Sequence, residues 1–156
     1  MYIRILAIGN KMPSWVVEGF DEYAKRFPPS CELKLIEIPA EKRTKQSDIK
    51  QLIAREGEKL LAAIKPGHKI IALEVTGKSW TTEALANELK RWQHDGRNID
   101  LLIGGPDGLS AETLKKAETK WSLSPLTLPH PLVRIILAEQ LYRATTILQG
   151  HPYHRG

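Results

Sequence analysis

Two neighbouring segments decide how this chain reads: Leu101-Leu102-Ile103-Gly104-Gly105-Pro106-Asp107-Gly108 and Ser122-Leu123-Ser124-Pro125-Leu126-Thr127-Leu128-Pro129-His130-Pro131. The first is an apolar run that stops at a glycine-rich turn, with Ser110 placed to cap a short helix beyond it. A buried strand opening onto a loop is the place where open α/β sheets hold ligands. In Gly105-Pro106-Asp107-Gly108 proline presets φ and the closing glycine accepts angles that a Cβ forbids, so a tight turn is expected. The glycines are not spaced as G-x-G-x-x-G, no lysine follows to make a P-loop, and Asp107 would repel a phosphate. A ligand-free turn and a loop for a neutral or cationic group both stay open here.

In the second segment Pro125, Pro129 and Pro131 fix φ and remove backbone donors, while Leu123, Leu126 and Leu128 supply apolar surface without helical or strand spacing. The result is a stiff, apolar loop. It suits the wall of an adenine pocket, where apolar faces and a few backbone groups do the work, and it equally suits a rigid connection packed on the core.

These blocks, with others, resemble the SPOUT methyltransferases. The residues that carry the likeness are Ile103-Gly104-Gly105 with Gly108, Ser122-Leu123-Ser124, Leu126-Thr127, His130, Arg134, Glu139-Gln140-Leu141-Tyr142-Arg143-Ala144 and the ending His151-Pro152-Tyr153-His154-Arg155. Ile8-Gly9, Lys11, Ile38-Pro39 and Lys42-Arg43 extend it over essentially the whole chain. Within the superfamily the likeness is to the large-subunit ribosomal RNA methyltransferase H family.

The resemblance implies a six-stranded type of α/β domain with a C-terminal trefoil knot, and a homodimer. It implies S-adenosylmethionine held by Leu73, by Gly104 with Gly105 and Gly108, and by Leu123, Ser124, Pro125, Leu126, Thr127 and Leu128. Asp107 is compatible with the sulfonium charge. The implied reaction is methyl transfer to N3 of a pseudouridine in 23S ribosomal RNA, as free RNA, large subunit or assembled ribosome. Nitrogen attack requires no cysteine adduct, only loss of the N3 proton to a nearby base or stabilisation of the ring anion by a cation. Tyr153, His154 and Arg155 offer a stacking ring, an imidazole and a guanidinium, and are expected to close over the partner subunit's pocket. Without the resemblance the same tail reads as a disordered basic end.

The rest of the chain fits one α/β domain. A chain of 156 residues, 42% hydrophobic, buries a single core and is short for two domains. Strands are expected over Tyr2 to Ile8, Glu32 to Ile38 and Lys69 to Val75. Helices are expected after Pro13, over Asp48 to Ile64 and over Thr82 to His94. This alternation argues for a mostly parallel sheet covered on both faces. The last helix, about Leu132 to Leu148, is apolar round most of its wheel, with a narrow polar stripe through Glu139, Arg143 and Thr146. Such a helix asks for cover on more than one side, which a second subunit would give.

A net charge of +5 favours a polyanionic partner. Lys42 and Arg43, in a polar loop, are the first candidates for RNA phosphate contacts; Arg134, Arg143 and His130 follow, with ion pairing around the last helix as the competing reading. The single Cys31 excludes an internal disulfide and reads as inert, and no run approaches the length of a membrane span, so a cytoplasmic protein is expected. His151-x-x-His154 lacks a third ligand, so no metal is expected. Two other classes stay in view: a non-enzymatic RNA-binding domain, opposed by Asp107 in the Gly105-x-x-Gly108 loop, and a methyltransferase of the same fold acting on transfer RNA.

Overall fold

The computed structural model describes residues 1–155; Gly156 lies outside the described residues. Five strands form one sheet: β1 (Tyr2–Ile8), β2 (Glu32–Ile38), β3 (Lys69–Ser79), β4 (Ile99–Ile103) and β5 (Thr119–Ser122). Their spatial order is β2-β1-β4-β3-β5 and every pairing is parallel. Among the described residues the sheet thus has five strands where six were implied. The intervening helices are α1 (Ser14–Ala24), α2 (Ile49–Ala63), α3 (Thr82–Asp95), α4 (Ala111–Lys116) and α5 (His130–Gln149), and a 3-10 turn, Pro152–Arg155, ends the described chain.

Period-two side-chain alternation splits the core between the two sheet faces. Ile3, Ile5 and Ala7 of β1, with Ile99, Leu101 and Ile103 of β4, face Phe20, Leu85, Leu89, Trp92, Leu137 and Leu141 from α1, α3 and α5. Leu6, Ile8 and Leu102 face the other way, onto Leu60 of α2. Helices on both faces explain why these strands read as almost unbroken apolar runs.

The helix boundaries have local causes. Asp48 accepts from the Lys50 and Gln51 amides to cap α2, Thr81 from Ala84 to cap α3, and Ser110 from Thr113 to cap α4. Gly96 and Gly150 close α3 and α5 in the left-handed conformation.

Three expectations are corrected. β3 runs on to Ser79 instead of stopping at Val75, because Leu73 and Lys78 both pair with Trp121 and residues 74–77 bulge out of the ladder. β5 was not expected at all: four residues, three of them polar, carry no periodic signal. The polar stripe of α5 is narrower than it read, since Thr146 is buried with its hydroxyl bonded to the Arg143 carbonyl at 2.6 Å. Much of the cover for α5 comes from α1 and α3 in the same chain.

Candidate active site

A cleft of about 400 Å³ opens at the carboxyl ends of β3, β4 and β5, within the range of small-molecule sites. Leu73 reaches it from the last ladder position before the β3 bulge, and Glu74 and Val75 because the bulge turns them out of the ladder. Ile103 with Gly104, Gly105, Pro106 and Gly108 of the turn forms a second side, and residues 121–124 and 126–128 with the start of α5 form the third.

The turn is built as its sequence requires. The Gly108 amide donates to the Gly105 carbonyl at 3.0 Å, and Gly108 sits at φ +84, which only glycine adopts without strain. A Cβ on Gly104 would stand 2.6 Å from the Gly108 carbonyl carbon, so strand end and turn touch backbone to backbone.

Of the residues expected to hold a cofactor, Leu73, Gly104, Gly105, Gly108, Leu123, Ser124, Leu126, Thr127 and Leu128 all line the cleft. Pro125 does not; it is exposed and shapes the loop instead. Asp107 is not on the cleft either: its carboxylate accepts from Arg43 Nε at 2.9 Å. The acid that does line the cleft is Glu74. Its sequence signal was its place just past the apolar core of a strand, where sheet ligands bind.

His130 closes the third wall. Its Nε2 accepts from Arg134 Nε at 2.9 Å, and burial first, then the Arg134 charge, lower its pKa below the ordinary imidazole value. Arg134 is 1% exposed, and its other donors bind Glu37 Oε2 at 2.7 Å and the Gly9 carbonyl at 2.8 Å. A guanidinium used up on three protein partners inside the fold has no face left for a phosphate, which corrects its expected role as an RNA contact.

The other expected RNA contacts divide. Lys42 is exposed. Arg43 is half-buried and forked onto Glu56, with Nη1–Oε2 at 2.8 Å and Nη2–Oε1 at 3.1 Å. Arg143 pairs with Glu139 at 2.7 Å and lies 4.9 Å from the Tyr153 ring centroid. The pairing expected at this i, i+4 spacing is therefore present.

The tail folds back on its own α5. The Tyr153 ring centroid lies 4.8 Å from that of Tyr142, and its hydroxyl donates to Glu139 at 3.3 Å. Burial, then Glu139, push the Tyr153 phenol above its ordinary value. His154 is half-buried, with Nδ1 enclosed and meeting no hydrogen-bond partner among the described residues, and Arg155 is exposed. Cys31 is far from all of this in role: it is buried, and burial pushes its thiol up to about 11. Among the described residues no three His, Cys, Asp or Glu side chains converge as a metal site would require, and no helix is long and apolar enough to cross a membrane.

The family described as Predicted SPOUT methyltransferase matches residues 1–154. The chain belongs to the SPOUT methyltransferases. It is 56% identical over 155 residues to Ribosomal RNA large subunit methyltransferase H of Azotobacter vinelandii, covering 99% of this chain and 100% of that one. It is 55% identical over 155 residues to the protein of the same name from Pseudomonas putida, with the same coverage. Among solved structures, a probable methylase family protein from Haemophilus influenzae Rd KW20 superposes with a TM-score of 0.57 at 14% identity, over 97% of this chain and 69% of that one. A Legionella pneumophila protein described as a methyltransferase in complex with the bound cofactor SAM gives 0.52 at 13% identity, over 92% of this chain and 66% of that one. At such identities the superpositions speak for the fold.

Proposed function

We propose that this SPOUT protein transfers a methyl group from S-adenosylmethionine, bound in the cleft, to N3 of a pseudouridine in 23S ribosomal RNA, working in the cytoplasm as a homodimer. The full-length relatives named for large-subunit ribosomal RNA support the substrate class. The observation that carries the reading is the cleft itself, which gathers nearly every residue that the family likeness assigns to the cofactor.

The residues present fit that cofactor. Leu73, Ile103, Leu123 and Leu128 offer apolar faces to a purine, the Gly104 turn brings backbone close, and Glu74 places one carboxyl group where hydroxyls or a sulfonium could meet it. When bound, S-adenosylmethionine supplies an electrophilic methyl group. The rate then depends chiefly on holding nucleophile and methyl in line, and on a group that takes the N3 proton or steadies the ring anion.

Tyr153, His154 and Arg155 are our candidates for that second task. Within one chain they sit in the wrong place for it. The cleft is reached by Pro129, His130 and Val133, whereas Tyr153 rests on Glu139, Tyr142 and Arg143. Nine to thirteen residues past His130 is about 14–20 Å of helix rise. A tail that rests on the outer part of its own α5, away from its own cleft, supports closure over a partner's cleft. Arg143, beside Tyr153, would then travel with the tail as an RNA or active-site cation.

Labelled-methyl transfer to large subunits, assembled ribosomes and transfer RNA, with mass spectrometry of ribosomal RNA from cells with and without the protein, tests the assignment. We expect a methylated pseudouridine that disappears with the protein. Unchanged ribosomal RNA, or label entering transfer RNA instead, would overturn it.

A further inference from the structure

Arg43 was expected from sequence to face RNA, yet its side chain points at the wall of the cleft. Its Nε donates to Asp107 Oδ2 at 2.9 Å, inside the Gly105–Gly108 turn. Its Nη1 donates to Glu56 Oε2 at 2.8 Å and to the Glu41 carbonyl at 3.0 Å, and its Nη2 to Glu56 Oε1 at 3.1 Å. Glu56 is only 2% exposed, also accepts from the Glu41 amide at 3.0 Å, and stands 3.1 Å from where a Cβ on Gly105 would be. One guanidinium therefore ties three parts together: the loop after β2, the buried face of α2, and the turn that walls the cleft.

We propose that Arg43 is a positioning residue for the cofactor turn: anchored on Glu56, it holds Asp107 and so fixes Gly105–Gly108 in the shape that the ligand meets, and it is not itself a phosphate contact. This rests on the reading of the cleft as the S-adenosylmethionine site. The physical case is one of geometry. The backbone pairing of Gly105 with Gly108 closes the turn at its base, its tip is held more firmly when a side chain there is tied to an anchor outside, and Asp107 is the only charged residue within this turn. A fork on a buried carboxylate is a rigid anchor, because planar bidentate pairing restricts the guanidinium more than a single bond would. Exposed Lys42, on the same loop, is left to meet an RNA backbone.

The test uses the full-length chain, with S-adenosylmethionine affinity by calorimetry and separate KM values for S-adenosylmethionine and for ribosomes across a salt series. Arg43→Ala leaves Glu56 without its cation, so Asp107→Ala, which cuts only the bond to the half-exposed turn, is the decisive variant. We expect both to weaken cofactor binding roughly fivefold or more, the low end of ordinary coupling between sites. The double variant should be no worse than Arg43→Ala alone. KM for ribosomes and its salt dependence should stay as in the parent protein, whereas loss of a true phosphate contact would lower the salt slope by about one. Parent-like cofactor affinity in Asp107→Ala, or a reduced salt slope in Arg43→Ala, would overturn the proposal. If the parent protein itself bound no S-adenosylmethionine, the reading of the cleft would fail, and this inference with it.

Discussion

Arg134 Nε donates to His130 Nε2 across 2.9 Å, and this one bond decides which ring nitrogen carries the proton. With Nε2 accepting, the proton of the neutral ring sits on Nδ1, and the Gly104 backbone lies where it favours a proton on the ring. Burial and the Arg134 charge outweigh the Gly104 backbone and Glu37, so the folded chain holds the imidazole below its ordinary 6.5. A group with a lowered folded pKa contributes stability in full above the unfolded value and loses it as pH falls through the folded one. We therefore expect thermal stability to hold at pH 7 and to decline as pH drops below about 6.5. His130→Gln can still accept from Arg134 and cannot titrate, so its stability should show a shallower decline across that range. An identical pH profile for the variant in thermal melts would contradict this.

Arg134 makes a second, sharper prediction. Its removal leaves the Gly9 carbonyl and His130 without their donor, Glu37 without its cation, and a void in a fully packed place. Breaking a buried ion pair costs roughly 3–5 kcal/mol; with Glu37 still reaching solvent, Arg134→Ala should fall near the lower end, about 3 kcal/mol. Denaturant titration measures it. The salt slope for ribosome binding should not move, since this cation faces inward.

Gly104 and Gly108 should respond differently to the same substitution. Alanine at 104 drives a Cβ into the Gly108 backbone, so the turn must shift and cofactor affinity should fall by at least an order of magnitude, about 1.4 kcal/mol. Alanine at 108 meets nothing within 4 Å but must hold φ +84, a strain of roughly 1–2 kcal/mol that falls on stability. Calorimetry and melting curves on the pair separate the two effects. Equal cofactor affinity in both would count against the contact between turn and strand end as the feature that shapes the cleft.

How far these features could be read from sequence depends on the range over which each is determined. β1, β2, the cap at Ser110 and the turn at Gly105–Gly108 are set by residues within a few positions of one another, and they were legible. β5 was not, because a four-residue strand exists only by pairing with β3. The β3 bulge that delivers Glu74 is likewise a property of two strands. Arginines failed for the same reason: Arg43, Arg134 and Arg143 are alike in a sequence, and what separates them is Glu56, Glu37 and Glu139. Only the last partner is near in the chain, and only that pairing was foreseen.

The tail supplies the last prediction. Ending the chain after Pro152 removes Tyr153 from Tyr142 and Glu139, contacts on the outer part of α5 and away from the cleft. Cofactor affinity should stay within about twofold of the parent protein, while methyl transfer should fall by at least a hundredfold, the scale of a lost proton-transfer group. If the tail works across a dimer, two damaged chains can repair each other. A truncated chain keeps a sound cleft, and a Gly104→Val chain keeps a sound tail; their mixed dimer would hold one complete site. Unfolding and refolding the two together should restore activity that neither shows alone, rising with the mixed fraction. Mixed dimers isolated by two different affinity tags that remained inactive would place the tail's action within a single chain, or outside the reaction altogether.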